Sequence, residues 1–491
     1  MADKILQPVV QQGRNCWRIE RADSAKMIVD AADYYALLEG LMQNARERIL
    51  LIGWDFDPRI ALKPTASGKA QSLGKFLLRL AKDKPNRDID ILRWNFGGLK
   101  QFFSPTIVST VLRWKMTKSI RFRLDSAHPL GCSHHQKVAV FDDHLAVCGG
   151  IDVADRRWDT PEHKDDDPLR VQPNGKAYEP WHDVTMLLAG PIGGALADLG
   201  KERWKRATKE ELTPLRQDGE NWPKDLTPDF ENVDVAISRT RAEYGDVSEL
   251  REIEQLYIDM IMATEKFLYF ENQYFSSGKI AAAIAERLNE ENPPEFIMVM
   301  PEKGDGWLEQ KAMDGARVML VREIAKSKYG KNFRIYVPHT KGGAPIYVHA
   351  KVAVMDDRLL RIGSANLNNR SMGLDSECDV TIDAALPANA DTPPRIKALR
   401  ENLLAEHLHV SPSEISRLYG ETGSLAKVIE TLSGDGKTLE WLDLEQPGPL
   451  DEFIANNELL DPTRPDAVFE APGEHGVKSY FRRRFGRRYM K

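Results

Sequence analysis

The chain contains two copies of one segment, and this repetition constrains its fold more than any other feature. HQKVAVFDDHLAVCGG at 135–150 corresponds to HAKVAVMDDRLLRIGS at 349–364, at a constant offset of 214 residues. A second pair lies upstream, where ARERILLIGWDF at 45–56 resembles ATEKFLYFENQY at 263–274. Self-similarity at a fixed period indicates structurally equivalent units. We therefore expect two halves built on the same plan.

Each half is predicted to be an α/β unit. Helical patterns precede the upstream copies, and short apolar runs at 89–94, 120–124, 296–301 and 333–337 have the length of buried strands. We predict an α/β fold with two similar lobes, related by a pseudo-twofold axis with the active site between them, plus a helical C-terminal part. The expected division is a first lobe at 1–210, a connector at 211–240, a second lobe at 241–390, a helical accessory region at 391–477 and a basic tail at 478–491.

The repeated segment carries the candidate catalytic residues. Residues two apart in a strand share a face, so His135 and Lys137 point the same way, as do His349 and Lys351. If the two faces meet, the site suits an anionic phosphodiester. Ammonium groups stabilise the non-bridging oxygens, one neutral histidine attacks phosphorus, and the other, protonated, donates to the leaving oxygen. Such a site needs no metal.

Asp142 and Asp356 lie seven residues after the histidines, so they face away from the site or lie beyond the strand, and we interpret them as structural.

The remaining features predict no cofactor. The four cysteines are scattered and form no C-x-x-C pair, which argues against a disulfide framework or a zinc site. We therefore expect neither a cofactor nor a metal.

The doubled HxKxxxxD motif resembles the signature of the phospholipase D superfamily. Its flanks resemble the plant and animal phospholipases D and related bacterial enzymes and effectors. Cardiolipin synthases and the small nucleases of the superfamily generally lack the flanks RWDTPEH, PWHDV and ENQYF in this form. The resemblance therefore favours a phospholipid substrate over nucleic acid. The matching stretches are GWDFDP (53–58), SHHQKVAVFD (133–142), GGIDV (149–153), RWDTPEH (157–163), PWHDV (180–184), ENQYF (271–275), YVHAKVAVMD (347–356), GSANLNNRS (363–371) and DSE (375–377).

The resemblance implies a role for each histidine. His135 looks like the nucleophile that forms a phosphohistidine. His349 looks like the acid that protonates the leaving alcohol and then the base that activates water. Asp183 and Glu377 look like the carboxylates that orient the histidines, which would fix the ring tautomer and raise basicity.

The resemblance also implies the groups that would hold the phosphoryl oxygens, namely Lys137, Lys351 and Asn366. Asp152 stands where the second half has Asn366, and we interpret it as structural, in the GGxD form typical of this branch. Several aromatic residues flank the motifs, and either core packing or a lipid-binding wall would explain them. They are Trp54, Trp158, Trp181 and Tyr274.

The charge distribution bears on partners. The net charge is −6, but 478–491 carries seven Lys or Arg and no acid, so the rest of the chain is at −13. An acidic body argues against nucleic acid as a partner. The tail is either a solvated terminus or a contact to an anionic phospholipid membrane surface. The sequence predicts no transmembrane segment and no signal peptide, so we expect a cytoplasmic monomer, unless dedicated secretion machinery exports it.

Four functions are compatible with these features. The leading interpretation is a phosphodiester hydrolase, a phospholipase D that releases phosphatidate and an alcohol. A transphosphatidylase, such as a cardiolipin synthase, would use the same intermediate with an alcohol as acceptor. The acidic body argues against a nuclease or phosphodiesterase that acts on nucleic acid. A non-catalytic lipid-binding protein fits poorly with two intact motifs.

Overall fold

The computed structural model describes residues 7–65, 70–95, 104–215, 222–304, 307–442 and 461, with only the backbone described over 307–314. The predicted basic tail and most of the accessory region after residue 442 lie outside the described residues. Among the helices of the described ranges, none has the length and apolar character needed to cross a bilayer.

One large β-sheet runs through both halves. The first half contributes β1 (Arg18–Val29), β2 (Arg48–Gly53), β3 (Asp88–Trp94), β4 (Ile120–Asp125), β5 (Val138–Phe141), β6 (Leu145–Gly149), β7 (Trp181–His182) and β8 (Val184–Ala189). The second half contributes β9 (Phe230–Arg241), β10 (Leu250–Arg251), β11 (Phe267–Glu271), β12 (Glu295–Val299), β13 (Phe333–His339), β14 (Tyr347–Val348), β15 (Val352–Met355), β16 (Leu359–Gly363) and β17 (Glu377–Asp383). Of these strands, β7 and β14 pair with each other in a separate two-stranded sheet, and the others belong to the large sheet.

The strand order shows the pseudo-twofold. From the centre outward, the first half runs β1-β8-β6-β5-β2-β3-β4 and the second runs β9-β17-β16-β15-β11-β12-β13. The two orders are the same, strand for strand. β1 and β9 pair antiparallel at the centre, with Arg18 opposite Ile237 and Ala25 opposite Phe230. The predicted fold class, two similar α/β lobes, is therefore confirmed.

The central strands were not recognised from the sequence. Residues 230–241, which begin inside the predicted connector, form β9, and 18–29 form its counterpart β1. Both segments carry several charged residues on partly exposed positions, so their apolar runs are short. Their inclusion in the sheet follows from pairing with each other, which no local pattern reports.

Helices cover both faces of the sheet. They are α1 (Ala31–Asn44), α2 (Leu73–Asp83), α3 (Pro105–Lys115), α4 (Pro191–Thr208), α5 (Glu252–Ala263), α6 (Gly278–Arg287), α7 (Trp307–Ala325), α8 (Asn369–Gly373), α9 (Pro393–Leu408), α10 (Pro412–Thr422) and α11 (Leu425–Leu432). Alternate residues of β2 show the layers. Leu50 and Ile52 join the apolar cluster under α4, while Ile49 and Leu51 join the cluster under α1 and α2. Burial on both faces explains the near-continuous apolar runs of these strands.

The C-terminal part is mainly helical over its described residues, as predicted, through α9, α10 and α11. It also adds a strand, β18 (Thr438–Trp441), which pairs antiparallel with β13 at the edge of the sheet. Four residues with two exposed side chains give too short a pattern to be recognised as a strand from sequence. α9 packs into the same apolar cluster as α4, so it belongs to the core of the fold.

Candidate active site

Two backbone pairings across the halves bring the site together. The His135 amide donates to the carbonyl of Ser376 (2.9 Å), and the His349 amide donates to the carbonyl of His182 (2.7 Å). The second pairing extends the two-stranded sheet of β7 and β14. Each motif histidine therefore lies beside a residue of the opposite half, Ser376 or His182. The residues that follow these two in the chain are Glu377 and Asp183.

Each motif histidine contacts a buried carboxylate from the other half. His135 Nδ1 lies 3.0 Å from Glu377 Oε1, and His349 Nδ1 lies 2.7 Å from Asp183 Oδ2. A carboxylate on Nδ1 fixes the ring orientation and leaves Nε2 for a ligand. The arrangement that the resemblance implied for these four residues is present in the structure.

The two carboxylates have different surroundings. The hydroxyls of Ser364 and Ser371 donate to Glu377, the latter over 2.7 Å. Asp183 instead lies against Gly150, where an added Cβ would be 2.1 Å from Asp183 Oδ1. Gly150 and Ser364 are equivalent positions of the repeat, so the glycine makes room for one carboxylate where the serine holds the other. Burial raises the pKa of Glu377 to about 8 and that of Asp183 to about 6.

The two lysines are fixed by neighbouring oxygens. Lys137 Nζ lies 3.2 Å from Asp152 Oδ2, and Lys351 Nζ donates to Gln273 Oε1 over 3.2 Å. Asn366 Nδ2 donates to the same Gln273 oxygen (3.4 Å). The first half thus supplies an anionic partner where the second supplies an amide. Burial, opposed by Asp183 and reinforced by Lys137, lowers the pKa of Lys351 to about 7.

The surroundings of both histidines favour the neutral imidazole in the free site. Burial, followed by the charges of Lys137 and Lys351, lowers the pKa of His135 well below its usual range. Burial, followed by Lys351 and Arg157, does the same to His349. A neutral imidazole can attack phosphorus, whereas a proton donor must gain a proton. A bound phosphodiester anion would raise the pKa of His349 by offsetting the surrounding positive charge.

These groups open into one cleft of about 1050 Å³, lined by both histidines, Asp152 and Asn366. Aromatic rings form part of its wall, namely Trp54, Trp94, Trp181 and Tyr274. Three of the four aromatics singled out in the sequence therefore face the cleft. The fourth, Trp158, packs against the apolar cluster under α1.

Sequence reasoning missed a third cation. Arg157 lines the cleft, and its guanidinium carbon lies 4.2 Å from the centre of the Trp181 ring. Its charge contributes to the lowered pKa of His349. The signal was present, since Arg157 begins the RWDTPEH stretch, but nothing in its spacing indicated that it would reach the motifs.

The motif aspartates lie away from the cleft. Asp142 accepts hydrogen bonds from the amides of Arg46, Glu47 and Arg48, at 2.7–2.9 Å. Asp356 accepts in the same way from the amides of 265–267. Each carboxylate thus ties the turn after its own strand to the start of the neighbouring strand. The predicted structural role matches this geometry.

Comparison with known proteins identifies the family of the chain. The profile of the family described as Phospholipase D matches residues 41–337 and again 278–419. The chain belongs to the phospholipase D family. Phospholipase D1 of Schizosaccharomyces pombe is 24% identical over 89% of this chain and 39% of its own length. Phospholipase D alpha 1 of Nicotiana tabacum is 25% identical over 74% of this chain and 62% of its own length.

The family assignment covers the shared part of these proteins. The chain spans between about a third and two thirds of the length of these two relatives. Among solved structures, a phosphatidylserine synthase of Haemophilus influenzae is similar with a TM-score of 0.50 and 14% identity, over 79% of this chain and 95% of that one. At this identity the likeness concerns the phospholipase D fold alone.

Proposed function

We propose that the chain is a phospholipase D that hydrolyses the headgroup phosphodiester of glycerophospholipids. The observation that carries the proposal is the cleft lined by two carboxylate-bound histidines, whose pKa values are both lowered by burial and by the charges of two buried lysines, Lys137 and Lys351. Two imidazoles with different carboxylate partners and different charged neighbours can divide the roles of nucleophile and acid. The family membership supports phosphodiester chemistry.

The proposed reaction has two steps. In the first, Nε2 of neutral His135 attacks phosphorus and the bond to the headgroup oxygen breaks, while His349, which takes up a proton when the anionic substrate binds, gives that proton to the oxygen. In the second, His349 takes a proton from water, and the resulting hydroxide attacks the phosphohistidine. The P–N bond breaks and phosphatidate leaves, so His135 is again neutral and His349 is again in the protonated form in which it acted as the acid.

The cations stabilise the charge that develops on the phosphoryl oxygens. Lys137, Lys351 and Arg157 surround the site, and Asn366 offers an amide donor at the cleft wall. Fixed charges in a buried site stabilise a transition state more strongly than they would in water. Lys351 Nζ donates to the side-chain oxygen of Gln273 and to the carbonyl of His349, so it is already in place before substrate binds.

The shape of the cleft favours a lipid. Tryptophan and tyrosine rings beside the phosphoryl groups give an apolar wall for the glycerol and acyl part of a phospholipid. The chain is acidic overall, at −6, which disfavours binding to polyanionic nucleic acid. A phospholipid membrane surface is therefore the proposed partner.

In the test, the protein is incubated in parallel with mixed phospholipid vesicles, with short-chain phospholipids and with single-stranded DNA. Half of the reactions also contain a primary alcohol. Mass spectrometry should find phosphatidate in water and some phosphatidyl alcohol with the alcohol. Loss of all product in His135→Ala, but not in His339→Ala outside the cleft, would assign it to the site. DNA cleavage without lipid turnover would overturn the proposal, and transfer without hydrolysis would favour a phosphatidyltransferase.

A further inference from the structure

A second cluster of polar side chains lies buried behind the cleft. It consists of Asp30, His163, His182 and Glu406, which approach one another from four separate parts of the chain. Asp30 precedes α1, His163 lies in the loop before β7, His182 lies in β7, and Glu406 lies in α9. The side chains of the first three are fully buried, and that of Glu406 is 11% exposed.

The facing atoms have the spacing of metal ligands. His163 Nε2 is 3.1 Å from Glu406 Oε1 and 3.5 Å from Asp30 Oδ2. His182 Nδ1 is 3.1 Å from Glu406 Oε1 and 3.3 Å from Asp30 Oδ1. Ligands at 2.0–2.1 Å from a tetrahedral zinc ion are about 3.4 Å apart. The four side chains therefore need little movement to surround one ion.

Each histidine is held from behind by another carboxylate. His163 Nδ1 lies 3.0 Å from Asp159 Oδ2, and His182 Nε2 lies 2.9 Å from Glu271 Oε2. If each ring donates its outer N–H to that carboxylate, the nitrogen facing the cluster carries a lone pair. Histidine ligands of metal ions have this carboxylate–histidine arrangement as a rule.

Two atoms that face the cluster lack hydrogen bonds. Asp30 Oδ2 and His182 Nδ1 are buried and make no hydrogen bond of good geometry within the described part of the chain. Arg170 pairs with Asp159, which leaves the carboxylates of Asp30 and Glu406 turned toward two imidazole nitrogens. Unpartnered buried polar atoms are costly, and a cation at the centre would satisfy both.

We propose that Asp30, His163, His182 and Glu406 bind one divalent first-row metal ion, zinc in the first place. Two imidazole nitrogens and two carboxylate oxygens suit zinc, whereas calcium and magnesium prefer all-oxygen sites with more ligands. The expectation of a metal-free protein rested on a reaction that needs no metal and on the absence of a local ligand motif. These ligands are dispersed from residue 30 to residue 406 and form no such motif.

The ion would support the active site without touching the reacting atoms. The Asp30 amide donates to the Asp183 carbonyl (2.8 Å), and the Asp183 amide donates to Asp30 Oδ1 (3.1 Å). The His182 carbonyl accepts from the His349 amide. Two of the proposed ligands are thus bonded directly to the backbone that carries Asp183 and His349. The metal would fix the position of this catalytic pair.

The test begins with full-length protein purified without a polyhistidine tag or chelator. Elemental analysis should find about one zinc per chain, and X-ray absorption should show a four-coordinate nitrogen and oxygen shell with imidazole scattering. Protein without any metal, whose melting temperature does not respond to added zinc, would overturn the proposal. A sulfur-containing shell, or a melting temperature that rises with calcium but not zinc, would also overturn it.

Neighbouring residues on α9 provide matched variants. Glu406→Gln removes a proposed ligand, and His407→Gln removes a buried histidine whose Nε2 faces Glu271 Oε1 and not the cluster. The first should lose most of the bound zinc and its share of thermal stability, and the second should retain the metal. Equal metal content in both variants would overturn the assignment, and the absorption spectrum of the unaltered protein decides the matter if either variant fails to fold.

Discussion

His135 and Glu377 are 242 residues apart and belong to opposite halves of the chain, yet His135 Nδ1 lies 3.0 Å from Glu377 Oε1. His349 and Asp183 repeat the relationship in the reverse direction. Each half therefore carries one histidine and the carboxylate for the other half's histidine. Neither half alone contains a complete pair.

The orienting carboxylates give the first prediction. Glu377→Gln and Asp183→Asn keep the size of the side chain but replace the carboxyl group that orients each imidazole by an amide. We expect kcat to fall by about 10²–10⁴-fold in each, with a much smaller change in KM for a short-chain substrate. Glu440→Gln, at an exposed carboxylate, is the control. A change confined to KM would show that these residues bind substrate and do not orient the histidines.

The second prediction separates the two histidines. An aryl phosphodiester with an acidic phenol as leaving group needs no proton from the enzyme. His349→Ala should therefore still form a phosphoenzyme with it and then fail to hydrolyse the adduct, because the base that activates water is gone. His135→Ala should form none. Mass spectrometry of the quenched protein measures the adduct, and an adduct located on His349 in the His135 variant would reverse the two roles.

The third prediction concerns pH. The pKa of Lys351 falls from 10.5 to about 7 on folding, so this ammonium is lost from the free site above about pH 7, and kcat/KM should decline there. The acid limb should lie well below pH 6.5, because the pKa of His135 is lowered. Between about pH 7 and 10.5 the unfolded chain binds more protons at this lysine, so its contribution to the free energy of unfolding rises with pH.

A variant isolates the lysine in that profile. Lys351→Arg keeps its charge throughout this range, so the decline near pH 7 should disappear whatever the absolute rate. The measurement is kcat/KM as a function of pH, with a monomeric substrate. An unchanged alkaline limb in the variant would assign the decline to another group.

The fourth prediction concerns the motif aspartates. Asp142→Ala leaves the amides of 46–48 without their acceptor, and we expect a loss of about 1–3 kcal/mol in the free energy of unfolding. The protein that remains folded should turn over substrate at nearly the original rate, because Asp142 lies away from the cleft. Thermal melting and active-site titration measure the two effects. A large fall in kcat per folded site, without a shift in melting temperature, would contradict the structural role.

The sequence by itself determined the duplicated α/β plan and singled out the histidines and lysines of the candidate site. His135, Lys137, His349 and Lys351 follow from the repeat and the two-residue period of a strand, because both are local properties of the chain. The position of Asp142 seven residues further on was enough to separate it from them. The family resemblance added Asp183 and Glu377 as partners of the histidines.

Only the tertiary structure decided which groups meet. Glu377 pairs with His135, and not with the histidine of its own half, because Ser376, the residue before it, forms an isolated β-bridge with His134 of the opposite half. The central strands, the approach of Arg157 to the cleft and the cluster around Asp30 depend likewise on contacts between distant segments. Local patterns report the face and the period of a segment, whereas the choice of the neighbouring strand depends on the arrangement of the whole sheet.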